Sequence, residues 1–245
     1  MKIPFKTIKI YEAQHPLDQQ TKLDQTLAST VDKDECLIRF SKSNGVILGK
    51  LDTVLANFDQ GISFLKANNY DVFIRKSGGL AVVTDENTLN ISMHFSTAQP
   101  EISELYASYD FFCSWLKSWL LFLNKDIQVK QIDHSYCPGK YDCSIDHKKF
   151  CGVAQFRTNQ TIVITAHLMV AGNQEHRGNL IKEFYDIANT ASNPLFPTVD
   201  PSTMATLSQL SGKNVQVNEL ISIIKQDLMR TNIPIITLER MDLKL

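Results

Sequence analysis

The longest helical pattern in the chain lies in its middle, at residues 101–123, between two groups of strand-like segments. Its large apolar residues recur at spacings of three and four, which places them on one face of a helix. These residues are Ile102, Leu105, Tyr109, Phe112, Leu116, Trp119 and Leu123. A helix with one apolar face has to bury that face against another element. The pattern therefore predicts a helix packed on the strands that precede and follow it.

Short apolar or alternating runs, separated by turn residues, predict the strands. The predicted strands are residues 36–40, 46–48, 72–74, 81–83, 89–93, 141–145, 150–155 and 161–170. In one of them apolar Leu89, Ile91 and Met93 alternate with polar neighbours, which is typical of a half-buried strand. Polar residues at 85–87 and at 146–147 predict the turns of two hairpins.

Further helical patterns lie on both sides of these strands. They cover residues 23–31, 60–66, 175–188 and 218–229. Helices before, between and after hairpins predict an α+β fold with a mixed, mainly antiparallel β-sheet flanked by helices. Because no Pro/Gly/Ser-rich linker divides the chain, we predict a single domain over residues 1–245. Its core would span about residues 37–190, and a helical C-terminal extension about residues 198–245.

Charge and composition exclude several functional classes. The 25 basic and 26 acidic residues leave a net charge of −1, so neither nucleic acid nor a membrane is an expected partner. The longest apolar run, residues 119–123, is far shorter than the roughly 20 residues of a membrane span. The first residues do not fit a signal peptide. The five cysteines are an odd number, so we expect free thiols and a cytoplasmic location.

Two segments carry residues that suit a binding or catalytic site. Residues 75–83 place Gly78 and Gly79 after a strand, where the backbone can approach a ligand or adopt a positive φ; two glycines also fit a simple turn. Residues 134–142 contain Cys137 followed by Pro-Gly, which puts a thiol at a turn that enters a strand. A lone cysteine is more often a small buried side chain than a nucleophile.

A third segment, residues 148–157, places Lys149 ahead of the small residues Gly152 and Ala154. Lys149 either lies exposed at a hairpin tip or points inward, where it would lower the pKa of the Cys137 thiol. His134, three residues from Cys137, is an alternative base. The cysteines and histidines nearby lack a Cys-x2-Cys pair, so we expect no metal site.

Taken together, four segments in this order are more specific than any one of them. They are residues 75–85 (RKSGGLAVVTD), 89–92 (LNIS), 135–142 (SYCPGKYD) and 148–155 (KKFCGVAQ). They resemble the biotin/lipoate protein ligase superfamily, and within it the lipoyl amidotransferases, the octanoyl-[GcvH]:protein N-octanoyltransferases. The resemblance runs from about residue 37 to about residue 186, with further similarity at 201–204. ATP-dependent lipoate ligases usually carry a third glycine where this chain has Leu80.

This resemblance implies a biotin/lipoate ligase-like catalytic domain, a reaction and a set of site residues. Cys137 would be the acyl-accepting nucleophile and Lys149 the lysine that lowers its pKa. The acyl-binding residues would be Arg75, Ser77, Gly78, Gly79, Leu80, Ala81, Gly152, Val153 and Ala154. Neither a cofactor nor a metal is implied.

The implied reaction is transfer of an octanoyl or lipoyl group between proteins. The donor would be a lysine of octanoylated glycine cleavage H protein, and the acceptors would be lysines in the lipoyl domains of 2-oxoacid dehydrogenase E2 subunits. The acyl group would pass through a thioester on Cys137. Two alternatives remain open from the sequence: an ATP-dependent lipoate or octanoate ligase, and a non-catalytic protein that binds lipoyl domains.

Overall fold

A computed structural model describes residues 3–12, 14–75 and 78–238, and its strands form two sheets. The strands are β1 (Thr7–Tyr11), β2 (Glu35–Ser41), β3 (Gly45–Leu48), β4 (Val72–Ile74), β5 (Val82–Thr84), β6 (Thr88–Ser96), β7 (Gln128–Val129), β8 (Cys143–Ile145), β9 (Lys148–Arg157), β10 (Thr161–Met169) and β11 (Ile235–Leu238). The helices are α1 (Gln20–Ala28), α2 (Phe58–Ala67), α3 (Leu105–Trp119), α4 (Gln174–Ala188), α5 (Leu207–Ser211) and α6 (Val217–Met229). Short 3-10 turns lie at Leu17–Gln19, Leu51–Val54, Leu121–Leu123 and Pro201–Thr203.

The larger sheet has the strand order β11-β1-β2-β6-β10-β9-β8-β7. Strand β1 pairs in parallel with both β11 and β2, and every other neighbouring pair in this sheet is antiparallel. The smaller sheet has the order β4-β3-β5, with one parallel and one antiparallel pair. The predicted α+β class with a mixed, mainly antiparallel sheet is confirmed.

The two faces of the larger sheet differ in chemistry. Residues at alternate positions of its central strands, such as Ile38, Ile91 and Ile164, join the apolar core beneath α3 and α6. Their neighbours in the sequence point to the opposite face, which is rich in polar residues. A second apolar cluster packs α2 and α4 against the smaller sheet. The polar face of the larger sheet therefore lies towards the smaller sheet, and the candidate site lies between them.

Three local predictions need correction. The predicted hairpin of residues 81–83 and 89–93 is wrong, because β5 pairs with β3 in the smaller sheet and β6 with β2 and β10 in the larger one. The central helix is shorter than predicted: it begins at Leu105, after an extended Glu104, and its last residues form a separate 3-10 turn. The C-terminal extension, predicted as helical, contains the strand β11 after α6, and residues 239–245 lie outside the described residues.

The second predicted hairpin is confirmed. Strands β8 and β9 pair around Asp146 and His147, which both adopt positive φ angles of 49° and 63°. This is the backbone conformation of the tight turns that match the twist of antiparallel strands. The hairpin places Lys149 and Gly152 on one strand, one residue and four residues beyond its start.

Candidate functional site

A cavity of about 470 Å³ lies between the polar face of the larger sheet and the smaller sheet. This volume falls in the range of pockets that hold small molecules. Most of the predicted site residues line it: Arg75, Gly78, Gly79, Cys137, Lys149, Gly152, Val153 and Ala154. Leu80 and Ala81 are buried in the apolar cluster of the smaller sheet. The Leu80 N–H faces the site, whereas the Ala81 N–H points away from it, to Tyr185. Ser77 lies outside the described residues.

Cys137 lies in the loop between β7 and β8, in a strained backbone conformation. Its φ is 48°, a left-handed value that costs a non-glycine residue roughly 1–2 kcal/mol. The loop is held by Asp142, whose Oδ2 accepts the N–H groups of Gly139 at 3.1 Å and Ile132 at 3.2 Å. Strain that persists because the surroundings fix it is typical of functional positions.

The sulfur of Cys137 faces the loop that joins the smaller sheet's strands β4 and β5. The Leu80 N–H donates to Sγ at 3.1 Å. Nη2 of Arg75 lies 3.7 Å from the same sulfur and also donates to the Leu80 carbonyl at 2.7 Å. Gly79 makes this approach possible: its φ is 97°, and a Cβ there would lie 2.3 Å from Arg75 Nη2. A backbone N–H and a guanidinium group therefore both lie beside the sulfur.

Lys149 faces the other side of the same residue. It is buried, with 2% of its surface exposed, and its Nζ donates to the carbonyl oxygens of Cys137 at 2.7 Å and Tyr136 at 3.0 Å. Nζ also forms an ion pair with Asp142 Oδ1 at 2.9 Å. Burial raises the pKa of Asp142, and the charge of Lys149 opposes this rise without cancelling it. Lys149 therefore points inward and not into solvent at the hairpin tip.

The floor of the cavity is formed by two rows of residues, and each row runs across strands β9, β10, β6 and β2. The first row is Gly152, His167, Asn90 and Ser41, and the second is Ala154, Thr165, Ser92 and Arg39. Residues paired in this way point to the same face of the sheet. The cavity is therefore deepest at β9, where the side chains of Gly152 and Ala154 are small. Its floor becomes more polar towards β2.

Two histidines near the site differ in environment. His167 Nδ1 lies 2.9 Å from Asn90 Oδ1. Burial, together with the charges of Arg177 and Arg75, lowers the pKa of His167 to about 3, so its ring is neutral at physiological pH. His134, the alternative base, is exposed, and its Nδ1 contacts the carbonyl of Thr198 at 3.1 Å.

Two groups of residues at the site were not predicted from the sequence. At the β2 end of the cavity, Arg39 pairs with Asp24 at 2.8 Å while only 3% of Arg39 is exposed. Burial disfavours the ionised form of Asp24, but Arg39 and His94 hold its pKa below the usual value. A signal was present in the sequence, because Arg39 lies among the apolar residues Leu37, Ile38 and Phe40 of its strand. The second group, Asp52 and Tyr185, lies behind the loop at Gly79.

This arrangement brings together a partly exposed thiol, hydrogen-bond donors beside its sulfur, a buried ammonium and a cavity that extends from the thiol over the sheet. It suits nucleophilic acyl transfer. Within residues 3–12, 14–75 and 78–238, no cluster of three or more His, Cys, Asp or Glu side chains suits a metal ion. No helix in that part of the chain is long and apolar enough to cross a membrane.

Comparison with known proteins identifies the family. Residues 16–229 match the model of the lipoyl protein ligase A/B catalytic domain. This chain belongs to that family. The membership expected from the four sequence segments is therefore confirmed.

Relatives within the family share about a third of their residues with the chain. The lipoyl-[GcvH]:protein N-lipoyltransferase of Listeria monocytogenes is 38% identical over 175 residues, which span 71% of this chain and 63% of that protein. The octanoyl-[GcvH]:protein N-octanoyltransferase of Geobacillus kaustophilus is 35% identical over 208 residues, 83% of this chain and 73% of that one. The chain thus spans less than two thirds of the Listeria relative's length.

Solved structures share the fold at lower identity. Lipoate-protein ligase A bound with ATP has a TM-score of 0.70 at 16% identity, over 96% of this chain and 88% of that one. A bipartite lipoate protein ligase from Thermoplasma acidophilum, studied with its E2 lipoyl domain, has a TM-score of 0.66 at 18% identity, over 95% and 87% of the two chains. These structures confirm the predicted lipoate ligase-like fold.

Proposed function

We propose that this protein is an amidotransferase of protein lipoylation. It would move an octanoyl or lipoyl group from a lysine of glycine cleavage H protein to a lysine of a 2-oxoacid dehydrogenase E2 lipoyl domain. The observation that carries the proposal is the Cys137 thiol at the wall of the cavity, with the Leu80 N–H 3.1 Å from its sulfur. The names of relatives at 35–38% identity support the same substrates.

In the first half-reaction the Cys137 thiolate attacks the carbonyl carbon of the acyl-lysine amide. A C–S bond forms, the C–N bond breaks, and the departing lysine amine takes up a proton. Lys149, whose ammonium lies on the carbonyl of Cys137, is the proposed source of that proton. The product is a thioester of the enzyme and a free lysine on the donor protein.

In the second half-reaction a lysine amine of the acceptor domain attacks the thioester carbon. The C–S bond breaks, an amide forms, and the attacking nitrogen's proton returns to the enzyme. Donor and product are both amides, so the exchange needs no ATP. We propose that the acyl chain lies over Gly152 and Ala154, where burial contributes about 0.8 kcal/mol per methylene. A free thiol as nucleophile also fits the expected reducing cytoplasm.

The test is intact-mass spectrometry of the purified chain mixed with octanoylated H protein in the absence of ATP. We expect an octanoyl adduct that is removed by hydroxylamine and maps to Cys137. Cys137→Ala should lack the adduct, whereas Cys36→Ala, which removes a thiol buried in the core, should keep it.

Two other results would each contradict the proposal. If no adduct forms but octanoate with ATP modifies a lipoyl domain, the protein is a ligase. If neither reaction occurs and lipoyl domains nevertheless bind, the protein is a non-catalytic binding protein.

A further inference from the structure

A buried chain of hydrogen bonds lies directly behind the loop that faces the thiol. Asp52, in the 3-10 turn Leu51–Val54, is fully buried. Its Oδ2 accepts the Gly49 N–H at 2.7 Å, and its Oδ1 accepts the hydroxyl of Tyr185 at 2.8 Å. The Tyr185 oxygen in turn accepts the N–H of Ala81 at 3.2 Å. Helix α4, the turn after β3 and the loop before β5 are joined through these two side chains.

The same chain of contacts fixes the loop on both sides of Leu80. On one side Ala81 is bound by Tyr185. On the other, Gly49 packs against Gly79 so closely that a Cβ on Gly49 would lie 1.7 Å from the Gly79 carbonyl oxygen. Because both neighbours of Leu80 are held, the direction of its N–H towards the Cys137 sulfur is held as well.

The protonation of the two side chains agrees with this geometry. Burial, together with the nearby Asp52 carboxyl, raises the pKa of Tyr185 well above its usual value, and Cys137 adds to this rise. The phenol therefore keeps its proton at neutral pH and donates it to Asp52. Its lone pairs are then free to accept the Ala81 N–H. Ala81 thus donates to Tyr185, and Tyr185 donates to Asp52.

We propose that Tyr185 and Asp52 are positioning residues for the nucleophile: they hold the Leu80 N–H against the sulfur of Cys137. They act through the loop and not on the acyl group. This inference extends the proposed function, but its central measurement concerns the thiol alone and needs no acyl substrate.

The test compares wild type with Tyr185→Phe, which removes only the hydroxyl and keeps the ring between Phe184 and Phe196. The measured quantity is the rate of Cys137 alkylation by iodoacetamide at about pH 7 and about pH 10. The other four cysteines are buried, so the native protein should report on Cys137, which peptide mass mapping verifies.

We expect Tyr185→Phe to slow alkylation at about pH 7 by up to about tenfold, the loss of one net hydrogen bond. At about pH 10, which lies above the ordinary pKa of a cysteine thiol, the rates should be equal. The kcat for acyl transfer should fall by a similar factor while KM for the donor protein stays within about twofold.

Tyr70→Phe is the matched control. Its hydroxyl lies 3.1 Å from His176 near the start of the same helix α4, on the exposed surface. We expect wild-type alkylation at both pH values. If a folded Tyr185→Phe also alkylates like wild type at both pH values, the proposal is wrong, even if its activity or melting temperature falls.

Asp52→Asn changes the acceptor at the other end of the same chain of hydrogen bonds. It is the second test variant if Tyr185→Phe does not fold. The carboxylate accepts two donors with two oxygens, whereas the amide has a single oxygen. The same selective loss at about pH 7 is expected. An unchanged profile would overturn the proposal. Absence of acyl transfer in wild type would instead count against the proposed function, because the alkylation result stands without it.

Discussion

The sulfur and the carbonyl oxygen of Cys137 face two different parts of the molecule. The sulfur side belongs to the smaller sheet and consists of a glycine loop with Leu80 and Arg75. It is open, with Gly78 and Gly79 both exposed. The carbonyl side belongs to the larger sheet and contains Lys149 paired with a carboxylate, both almost completely buried.

This difference assigns two roles to different residues: one is to fix the backbone of the nucleophile, and the other is to contact its sulfur. The ammonium of Lys149 lies on the main-chain oxygens of Tyr136 and Cys137, so it fixes the strained backbone of the nucleophile. The donors on the sulfur itself come from Leu80 and Arg75. The carbonyl side is therefore expected to dominate stability, and the sulfur side to dominate the reactivity of the thiol.

The largest effect should come from Lys149→Met. It leaves Asp142 as an unpaired buried charge, which costs about 3–5 kcal/mol of unfolding free energy, and acyl transfer should fall below detection. Burial already raises the pKa of Asp142, and without Lys149 it rises further. The folded variant then binds a proton more tightly than the unfolded chain, so its stability should recover as the pH falls through that pKa. Denaturant titrations across pH measure this.

The double variant Lys149→Met/Asp142→Asn separates the two tasks. Because the amide carries no charge, much of the lost stability should return, while acyl transfer should not. Lys182→Met, which removes an exposed partner of Asp186, should leave both unchanged. If Lys149→Met were as stable as wild type, the carbonyl side would not have the structural role that we assign to it.

The second effect, on the sulfur side, should come from Gly79→Ala. The residue has a φ of 97°, and its new Cβ would lie 3.2 Å from Cys137 Sγ as well as against Arg75. We expect the free energy of unfolding to fall by about 1–3 kcal/mol. The rate of thiol alkylation at neutral pH should fall by more than this, when the rate ratio is converted to a free energy. Gly78→Ala is the control, because its Cβ would meet nothing within 4 Å. If the two variants had the same stability and the same alkylation rate, Gly79 would not have the role at the thiol that we assign to it.

The two sides also differ in how far the sequence predicts them. The family resemblance implied that Gly79, Cys137, Lys149 and Gly152 share a site, and all four line one cavity. It did not show which atom of Cys137 each would contact, because that depends on the register between β8 and β9 and on the path of the 132–139 loop. The pairing of Lys149 with Asp142 is likewise a tertiary contact with no local signature.

The errors in the fold have a similar cause. The turn at 85–87 is present, with the Thr88 N–H on the Asp85 carbonyl, but a turn does not specify whether its flanking strands pair with each other. Here β5 and β6 find partners in different sheets. Strand β11 was missed because its partner, β1, lies at the opposite end of the chain. Asp52 and Tyr185 meet from positions 133 residues apart.

A third, smaller effect concerns the pH dependence of stability. Burial raises the pKa of Asp52 from 3.8 to about 6. Folding therefore favours the protonated form, and this carboxyl adds stability as the pH falls through 6, about 1 kcal/mol between pH 7 and pH 5. Asp52→Asn should lack this increment in denaturant titrations. An identical pH dependence in both proteins would mean that Asp52 is not buried as described.

The smallest effect on stability should come from Gly152→Ala, on the carbonyl side. The new Cβ would lie 3.4 Å from Cε and Nζ of Lys149, an ordinary contact, and alanine costs less chain entropy than glycine in a strand. Stability should therefore be equal or slightly higher. The methyl group nevertheless projects into the lowest part of the cavity floor. Transfer of an octanoyl group should therefore slow, measured as kcat/KM with the octanoylated donor. An unchanged kcat/KM would place the acyl chain away from Gly152, and a loss of stability above about 1 kcal/mol would contradict the ordinary contact with Lys149.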